Sequence, residues 1–289
     1  MARWSGASEV EPAGEWVAIG GRYCRRVADA LYVPDGDQLV PTELTGGPWS
    51  RDAQHGGAVA SLLARAVEAV PAPVAMQTVR ITVELLRPVP LQPLRIETTV
   101  PRPGKRVQLV DASVAADGAE VARARALRIR TASVPVPDQP EDAYGPEPAT
   151  GGPLRLEGPI ERTAFLRAVD FRFVRGSGNT LGPATAWARL RVPVVPDEEP
   201  SPLQRAAAAA DFGNGISRIL DFDTHLFINA DLTVALARPP AGEWVGFDMV
   251  TRLSPDGYGQ AESLLFDRHG PVGRAIQSLI VDERPAERP

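Results

Sequence analysis

The fold of this chain is decided by the stretch Gln54-His55-Gly56-Gly57-Ala58-Val59-Ala60-Ser61-Leu62-Leu63-Ala64-Arg65-Ala66-Val67-Glu68-Ala69-Val70. Its large apolar residues recur at intervals of three and four, which is the spacing of one helix face. Nothing interrupts this pattern until Pro71. The stretch therefore predicts a buried helix, around which the rest of the chain must be arranged.

Two glycines, Gly56 and Gly57, stand in the first turn of this helix. A helix start leaves backbone N–H groups unpaired, and glycine has no side chain to cover them. Bare donors at the positive end of the helix dipole suit a carbonyl oxygen that gains negative charge. The alternative is that the glycines only allow close packing against a neighbouring backbone. His55 lacks a nucleophile or carboxylate at a fixed spacing, so we expect it to cap the helix or position a ligand carbonyl rather than act as a base.

The composition excludes several classes of protein. A chain of 289 residues that is 44% hydrophobic can build the core of one large or two ordinary domains. Its net charge of -5 argues against a nucleic-acid partner, although the many arginines could bind phosphate-bearing ligands locally. Cys24 is the single cysteine, and the three histidines (His55, His225 and His269) lack ligand spacing, so we expect no disulfide, metal or cofactor.

The distribution of apolar residues also bears on location. No apolar run approaches the ~20 residues of a membrane span. Residues 1–10 have no apolar segment of the kind found in signal peptides. We therefore expect a cytoplasmic protein without a membrane span.

After Pro73 the apolar pattern changes from the helix period to alternation. Val79, Ile81, Val83 and Leu85 alternate with polar residues, which predicts a half-buried strand. Similar patterns predict strands at 94–100, 107–114 and 119–130, and a weaker pattern predicts one at 21–27, whereas 38–44 leads into a turn before the helix. One helix followed by several antiparallel strands is typical of an α+β unit in which a curved sheet wraps the helix.

The second half of the chain repeats the first with an offset of 151 residues. This offset places Arg87-Pro88 on Arg238-Pro239 and Val121-Ala122-Arg123-Ala124 on Val272-Gly273-Arg274-Ala275 without a gap. A segment rich in proline and glycine separates the halves. We predict an N-terminal unit at 1–132, a linker at 133–160 and a C-terminal unit at 161–289, whose helix spans 202–215 and ends at its glycines.

Three polar residues of the second half are candidates for chemistry. Asp211 follows five alanines, and a carboxylate in such tightly packed surroundings is desolvated and suits a general base. An exposed residue at the end of the helix is the alternative. Asn229 heads the predicted strand 230–236, either pointing into a groove between the units or simply starting the strand. Gln277 lies in the predicted strand 273–281, where an amide can hold a water or face solvent.

Together these features resemble the double-hotdog acyl-CoA thioesterases of the TesB type, over residues 41–282. In the first half, the resemblance rests on Gln54-His55-Gly56-Gly57, Leu86-Arg87-Pro88 and Arg102-Pro103-Gly104-Lys105. In the second half, it rests on Ala210-Asp211-Phe212, Asn229-Ala230-Asp231-Leu232, Arg238-Pro239 and Ala275-Ile276-Gln277. No single motif is specific, but their order and spacing are.

The resemblance implies an α+β double hotdog, with two tandem hotdog units that each wrap a curved antiparallel sheet round a central helix. It also implies hydrolysis of an acyl-CoA by water to the free acid and CoA. The family's catalytic aspartate, threonine or serine, and glutamine fall on Asp211, Asn229 and Gln277, so Asn229 departs from the pattern. The remaining candidates, Gly56, Gly57 and His55, are then expected to bind the thioester and its oxyanion.

Two other functions stay open. A hydratase or dehydratase of acyl thioesters could use His55 and a carboxylate as acid and base. The amide at Asn229 leaves room for a non-catalytic acyl-CoA-binding protein. The resemblance is compatible with acyl chains of different lengths, and with thioesters of either CoA or an acyl carrier protein. The outer faces of the two sheets could also pair in a homo-oligomer.

Overall fold

The computed structural model describes residues 29–137 and 163–284, together with Pro148 and the strand backbones at 16–19, 22–25 and 152–153. The predicted linker lies mostly outside these residues, except that 152–153 pair with a strand of the second half. The unit boundaries at 132 and 161 therefore stay a prediction. Among the described residues, no helix is both long enough and apolar enough to span a membrane.

The first half forms one long helix and a set of antiparallel strands. In chain order, its elements are β1 (Trp16–Ile19), β2 (Arg22–Arg25), β3 (Tyr32–Asp35), β4 (Gln38–Pro41), α1 (Gly56–Ala69), β5 (Met76–Leu85), β6 (Leu94–Pro103), β7 (Val107–Ala116) and β8 (Ala119–Arg130). The predicted helix is confirmed. The strands predicted between 79 and 130 are also confirmed, and most of them are longer than predicted.

The second half has the same kinds of elements. They are β9 (Gly152–Pro153), β10 (Val169–Arg175), β11 (Ala184–Leu190), α2 (Pro202–Ala210), α3 (Gly213–Ile216), β12 (His225–Asn229), β13 (Asp231–Leu236), β14 (Trp244–Ser254), β15 (Tyr258–Asp267) and β16 (Gly270–Glu283). Short 3-10 turns lie at Glu43–Thr45 and Ala164–Ala168.

Two details of the second half differ from the sequence prediction. The helix predicted over 202–215 is two helices, and Gly213 begins α3 instead of ending α2. Asn229 is the last residue of β12 rather than the head of the strand that follows. In both cases the chain bends where a polar side chain, Asp211 or Asn229, finds a hydrogen-bond partner outside its own element.

Apart from β1 and β2, which pair with each other in a separate sheet, the described strands of both halves form one continuous antiparallel sheet. Its order is β3-β4-β6-β7-β8-β5-β13-β16-β15-β14-β11-β10-β9, and β12 pairs with β16. The halves join where β5 pairs with β13, and Thr82 lies opposite Thr233 with their hydroxyl oxygens 3.1 Å apart. These threonines are 151 residues apart, so residues that the repeat equates face each other across a pseudo-twofold axis.

The repeat offset holds for the strands but not for the helices. The bounds of β15 are those of β7 moved by 151 residues. The start of α2, in contrast, lies 146 residues after the start of α1. The 151-residue offset also predicts that Asp211 corresponds to Ala60, and this correspondence is wrong, because the second half has extra residues between its helix and its next strand.

The two long helices pack against each other, antiparallel, inside the curved sheet. Most of α1 is buried, including Val59, Leu62 and Leu63, which are completely inaccessible to solvent. The five alanines at 206–210 of α2 are also buried, and their small side chains let the helices approach closely. A Cβ atom on Gly57 would lie 2.8 Å from the Ala208 carbonyl oxygen. This close packing brings the N-terminus of α1 to the C-terminus of α2, as a double hotdog requires.

Candidate active site

The site is built around Asp211, at the break between α2 and α3. Asp211 is the C-cap residue of α2, with φ -69° and ψ -16°, and Gly213 starts the next helix. Although it ends a helix, Asp211 is only 7% exposed. The exposed cap considered from the sequence is therefore wrong. The carboxylate lies instead between the two units of the protein.

Both carboxylate oxygens of Asp211 have polar partners from other elements. Asn229 donates to Oδ1 from its Nδ2 at 2.8 Å, and Gln277 donates to the same oxygen from Nε2 at 3.2 Å. Oδ2 lies 2.9 Å from Nδ1 of His55. The amide groups therefore hold one oxygen, and the histidine of the other unit contacts the second.

His55 connects this carboxylate to the start of α1. It is the N-cap residue of α1, and its Nδ1 accepts a hydrogen bond from the Gly57 N–H at 3.0 Å. The imidazole ring packs against both Phe165 and Phe212, at centroid distances of 4.8 and 4.7 Å. The capping role expected for His55 is confirmed, and the two aromatic rings restrict the orientation of the imidazole.

The structure corrects the expectation that both glycine donors are uncovered. The Gly57 N–H contacts His55, whereas no acceptor among the described residues receives the Gly56 N–H. A Cβ on Gly56 would lie 2.7 and 2.8 Å from the two carboxylate oxygens of Asp211. Glycine is therefore needed at 56 for close approach as well as for an open donor.

Gln277 contacts protein groups at both ends of its amide and does not line the cavity, where the sequence suggested that it would hold a water. It is 1% exposed and lies behind Asp211, away from the cavity wall. Its Nε2 also donates to the Asp211 backbone oxygen at 3.1 Å, and its Oε1 accepts from the Asn214 N–H at 3.0 Å. Both ends of the amide are used, so Gln277 orients Asp211.

Asn214 is a site residue that the sequence reasoning missed. Besides its backbone contact with Gln277, its Nδ2 donates to the Phe227 carbonyl oxygen at 2.5 Å. Asn214 thereby ties α3 to β12, which ends at Asn229. The available signal was the Asp-x-x-Asn spacing, which puts the two side chains on one face of a helical turn.

A cavity of about 440 Å³ opens beside Asp211. Asp211, Asn229, His55 and Gly56 line one part of it. The rest of the wall is mainly apolar and comes from both units, with Trp49, Val59, Leu166, Ile216, Phe222 and Ile228. This volume and lining suit a ligand with an apolar portion and one polar reacting group. Within the described ranges, no cluster of three or more His, Cys, Asp or Glu side chains could hold a metal ion.

Four of the six predicted site residues line this cavity, and the other two, Gly57 and Gln277, contact residues that do. Asp211 and Asn229 come from the second unit, and His55, Gly56 and Gly57 come from the first. The arrangement combines a held carboxylate, an unpaired backbone donor and an apolar cavity. Such a set can activate a water and stabilise an oxyanion.

Comparisons with known proteins agree with this architecture. Residues 45–129 match the profile of the acyl-CoA thioesterase N-terminal domain, and residues 136–281 match that of the C-terminal domain. No curated protein sequence matches the chain.

Solved structures show the same fold at low sequence identity. A protein with a hot dog fold from Alicyclobacillus acidocaldarius has 17% identity and a TM-score of 0.68, and the match covers 89% of this chain and 97% of that one. The tesB protein of Mycobacterium avium subspecies paratuberculosis has 16% identity and a TM-score of 0.63, covering 89% and 95%. The acyl-CoA thioesterase II TesB2 of Mycobacterium marinum has 17% identity and a TM-score of 0.60, covering 82% and 92%. The expected double-hotdog fold is thus confirmed, and, by its matches to both domain profiles, this chain belongs to the acyl-CoA thioesterase family.

Proposed function

We propose that the protein hydrolyses an acyl-CoA thioester, with Asp211 as the general base for a water molecule. The observation that carries this proposal is the position of the Asp211 carboxylate. It lies on an apolar cavity, directly against the open N-terminus of a helix from the other unit. A base and an oxyanion donor that face the same small volume are the two groups that thioester hydrolysis requires.

Asn229 can take the place of the hydroxyl residue of the family. Its Nδ2 is committed to Asp211 Oδ1 and, at 3.3 Å, to the Asp231 carbonyl oxygen. No donor among the described residues contacts its Oδ1, so this oxygen can accept one hydrogen of the attacking water. Asp211 accepts the other hydrogen as the water oxygen bonds to the thioester carbon. The Asn229 amide can therefore orient both the attacking water and the Asp211 carboxylate.

The oxyanion forms as the carbonyl π electrons move to oxygen, and the Gly56 N–H donates to it. His55 decides whether a second donor is available, because its Nδ1 lies within reach of both Gly57 N–H and Asp211 Oδ2. A neutral imidazole nitrogen serves one of these partners at a time. With the proton on Nδ1, His55 donates to the carboxylate and releases the Gly57 N–H toward the oxyanion.

Collapse of the tetrahedral intermediate completes the reaction. The carbonyl re-forms, the carbon–sulfur bond breaks, and the sulfur leaves with the bonding electrons. The proton taken by Asp211 passes to the thiolate, which gives CoA and the free acid and restores the carboxylate. General-base assistance contributes about 10²–10⁴-fold to a rate.

The test is Asp211→Asn, assayed on acyl-CoA thioesters of increasing chain length. The amide keeps the size of the side chain but cannot accept the proton, so we expect kcat to fall about 10³-fold. A thiol-release assay measures the effect, and circular dichroism checks the fold. Turnover equal to that of the wild type would remove Asp211 from the mechanism.

The same substrates separate the other two functions. An enoyl-CoA that is hydrated without release of thiol would identify a hydratase. Binding of acyl-CoA without hydration or thiol release over the whole series would identify a binding protein. Either result would overturn the proposed hydrolysis.

A further inference from the structure

Arg87 lies at the mouth of the cavity, in the turn that follows β5. The turn is held by the Leu86 N–H, which donates to the Val121 carbonyl oxygen at 3.1 Å. Arg87 is exposed, and it is the only lysine or arginine among the described residues that line the cavity. A positive charge therefore stands at the solvent end of a cavity whose buried part holds Asp211.

The second unit contains the same turn, but its arginine, Arg238, has a different environment. There the Ala237 N–H donates to the Val272 carbonyl oxygen at 2.8 Å, as the repeat requires. The guanidinium of Arg238 is bound by both oxygens of the buried Asp267, at 2.5 and 2.7 Å. Arg238 is thus fixed in the structure, and both of its terminal nitrogens already have partners within the chain.

The first unit lacks the carboxylate that would fix Arg87. The residue 151 positions before Asp267 is Ala116, the last residue of β7, as Asp267 is the last of β15. The next residue, Asp117, accepts a hydrogen bond from Gln92 instead. Among the described residues, no ion pair with an N···O distance up to 4.0 Å includes the Arg87 guanidinium. Loss of the partner therefore leaves this guanidinium available at the cavity mouth.

We infer that Arg87 binds a phosphate of the phosphopantetheine arm of the thioester substrate. This inference rests on the proposed thioester hydrolysis. With the thioester carbon at Asp211 and the acyl chain against the apolar wall, the charged end of the carrier must remain in solvent at the mouth. A guanidinium is planar and binds phosphate oxygens in pairs, so Arg87 suits this end of the substrate.

The experiment compares three thioesters of one acyl group, made from CoA, 4′-phosphopantetheine and pantetheine. Only the first two carry phosphate. For Arg87→Ala we expect KM to rise about tenfold on the phosphate-bearing thioesters, with kcat unchanged and with no change on the pantetheine thioester. The preference of the wild type for the phosphate-bearing thioesters over the pantetheine thioester should also weaken as the salt concentration rises. The corresponding ratio for the variant should not change. Arg80→Ala, on the exposed face of β5, is the matched control and should behave as the wild type.

Two further measurements make the outcome decisive. Ala116→Asp gives the first unit the carboxylate that the second unit has at Asp267. The new carboxylate should pair with Arg87 and raise KM, as Arg87→Ala does. An acyl carrier protein thioester, compared with the CoA thioester, distinguishes the two sources of the phosphopantetheine phosphate. If KM changes equally for all three small thioesters, or not at all, the inference is wrong although hydrolysis stands. If the wild type hydrolyses none of them, the proposed function fails, and titration of CoA into wild type and Arg87→Ala still tests the phosphate contact.

Discussion

The two ends of the α1–α2 helix pair have the same plan and different chemistry. At each end, a carboxylate from the end of one helix contacts the N-cap residue of the other. Asp211 contacts His55 at one end. At the other end, Glu68 accepts hydrogen bonds from Ser201 Oγ at 2.6 Å and from Gln204 Nε2 at 3.2 Å. Both contacts follow from the antiparallel packing of two duplicated helices.

The first helical residue separates the two ends. Gly56 has a free N–H and no side chain, whereas Pro202 has no N–H at all. The residue ten positions after each N-cap also differs. It is Asp211 in α2, but in α1 it is Arg65, which forms a bidentate pair with Glu198. One end thus presents a base and a donor to a cavity, and the other end is closed by partners. The duplicated fold therefore gives both ends the same geometry, and the residues at a few positions decide which end can react.

Of the changes that compare the first helical residues of the two ends, Gly56→Ala at the reactive end is expected to have the larger effect. In Gly56→Ala the new Cβ would overlap the Asp211 carboxylate, which would have to move from the cavity. Because alanine keeps the backbone N–H and displaces the base instead, we expect kcat/KM to fall about 10²–10³-fold, within the range that general-base assistance contributes. Steady-state kinetics on an acyl-CoA measure it.

The matching change at the other end is Pro202→Ala, which restores an N–H at a position that does not line the cavity beside Asp211. Its activity should equal that of the wild type. A large loss in this variant, or none in Gly56→Ala, would break the proposed difference between the two ends.

A smaller effect, on stability, is expected at the turn that fixes Arg238. Burial alone would raise the pKa of Asp267, but hydrogen bonds from Arg238 and from the backbone of Ala241 and His269 outweigh it and lower the pKa. Asp267→Asn should lower the free energy of unfolding at pH 7 by about 2 kcal/mol. This is less than for a fully buried pair because the Arg238 side chain is 36% exposed.

The pH dependence of this loss has a definite sign. A lowered pKa in the folded state stabilises the protein above the ordinary aspartate range, and this contribution disappears as the pH falls through the folded-state pKa. The difference between wild type and Asp267→Asn should therefore shrink below about pH 4. Denaturant unfolding at several pH values measures it, and a difference that grows in acid would contradict the assignment.

The smallest effect is expected at the closed end of the helix pair. Burial raises the pKa of Glu68, against the lowering influence of Ser201, Gln204 and Arg128. A carboxyl group with a raised pKa contributes less stability as the pH rises from about 4.5 through its folded-state value. Glu68→Gln keeps the acceptor oxygen and removes this pH dependence. We expect the free energy of unfolding at pH 7 to change by less than about 0.5 kcal/mol.

The thioesterase activity of Glu68→Gln further separates the two ends of the helix pair. Because Glu68 contacts the other helix rather than the cavity, thiol release by Glu68→Gln should match that of the wild type. The Asp211→Asn variant, with the same chemical change at the reactive end, should be nearly inactive. Equal losses in the two variants would mean that both ends take part in the reaction.

Much of the fold could be predicted because its signals are local. The apolar spacing of α1 and the alternation in β5 to β8 each arise within one element, and the structure bears them out. The break after Ala210 was missed, because a run of alanines followed by Asp211 carries no local sign of a bend. The bend is set by the distant partners Asn229 and Gln277, and the sequence does not show that they are adjacent.

The buried helix, the repeated strands and the residue types that a hydrolytic site needs can all be read from the amino-acid order, because periodicity and side-chain chemistry are local properties. Which residues contact one another depends on how the whole chain packs. This packing places Asp211 against Gly56, turns Gln277 away from the cavity and covers Gly57 with His55. These contacts join residues more than a hundred positions apart, or depend on one side-chain orientation. Both are consequences of packing two units around a shared core, which no local pattern records.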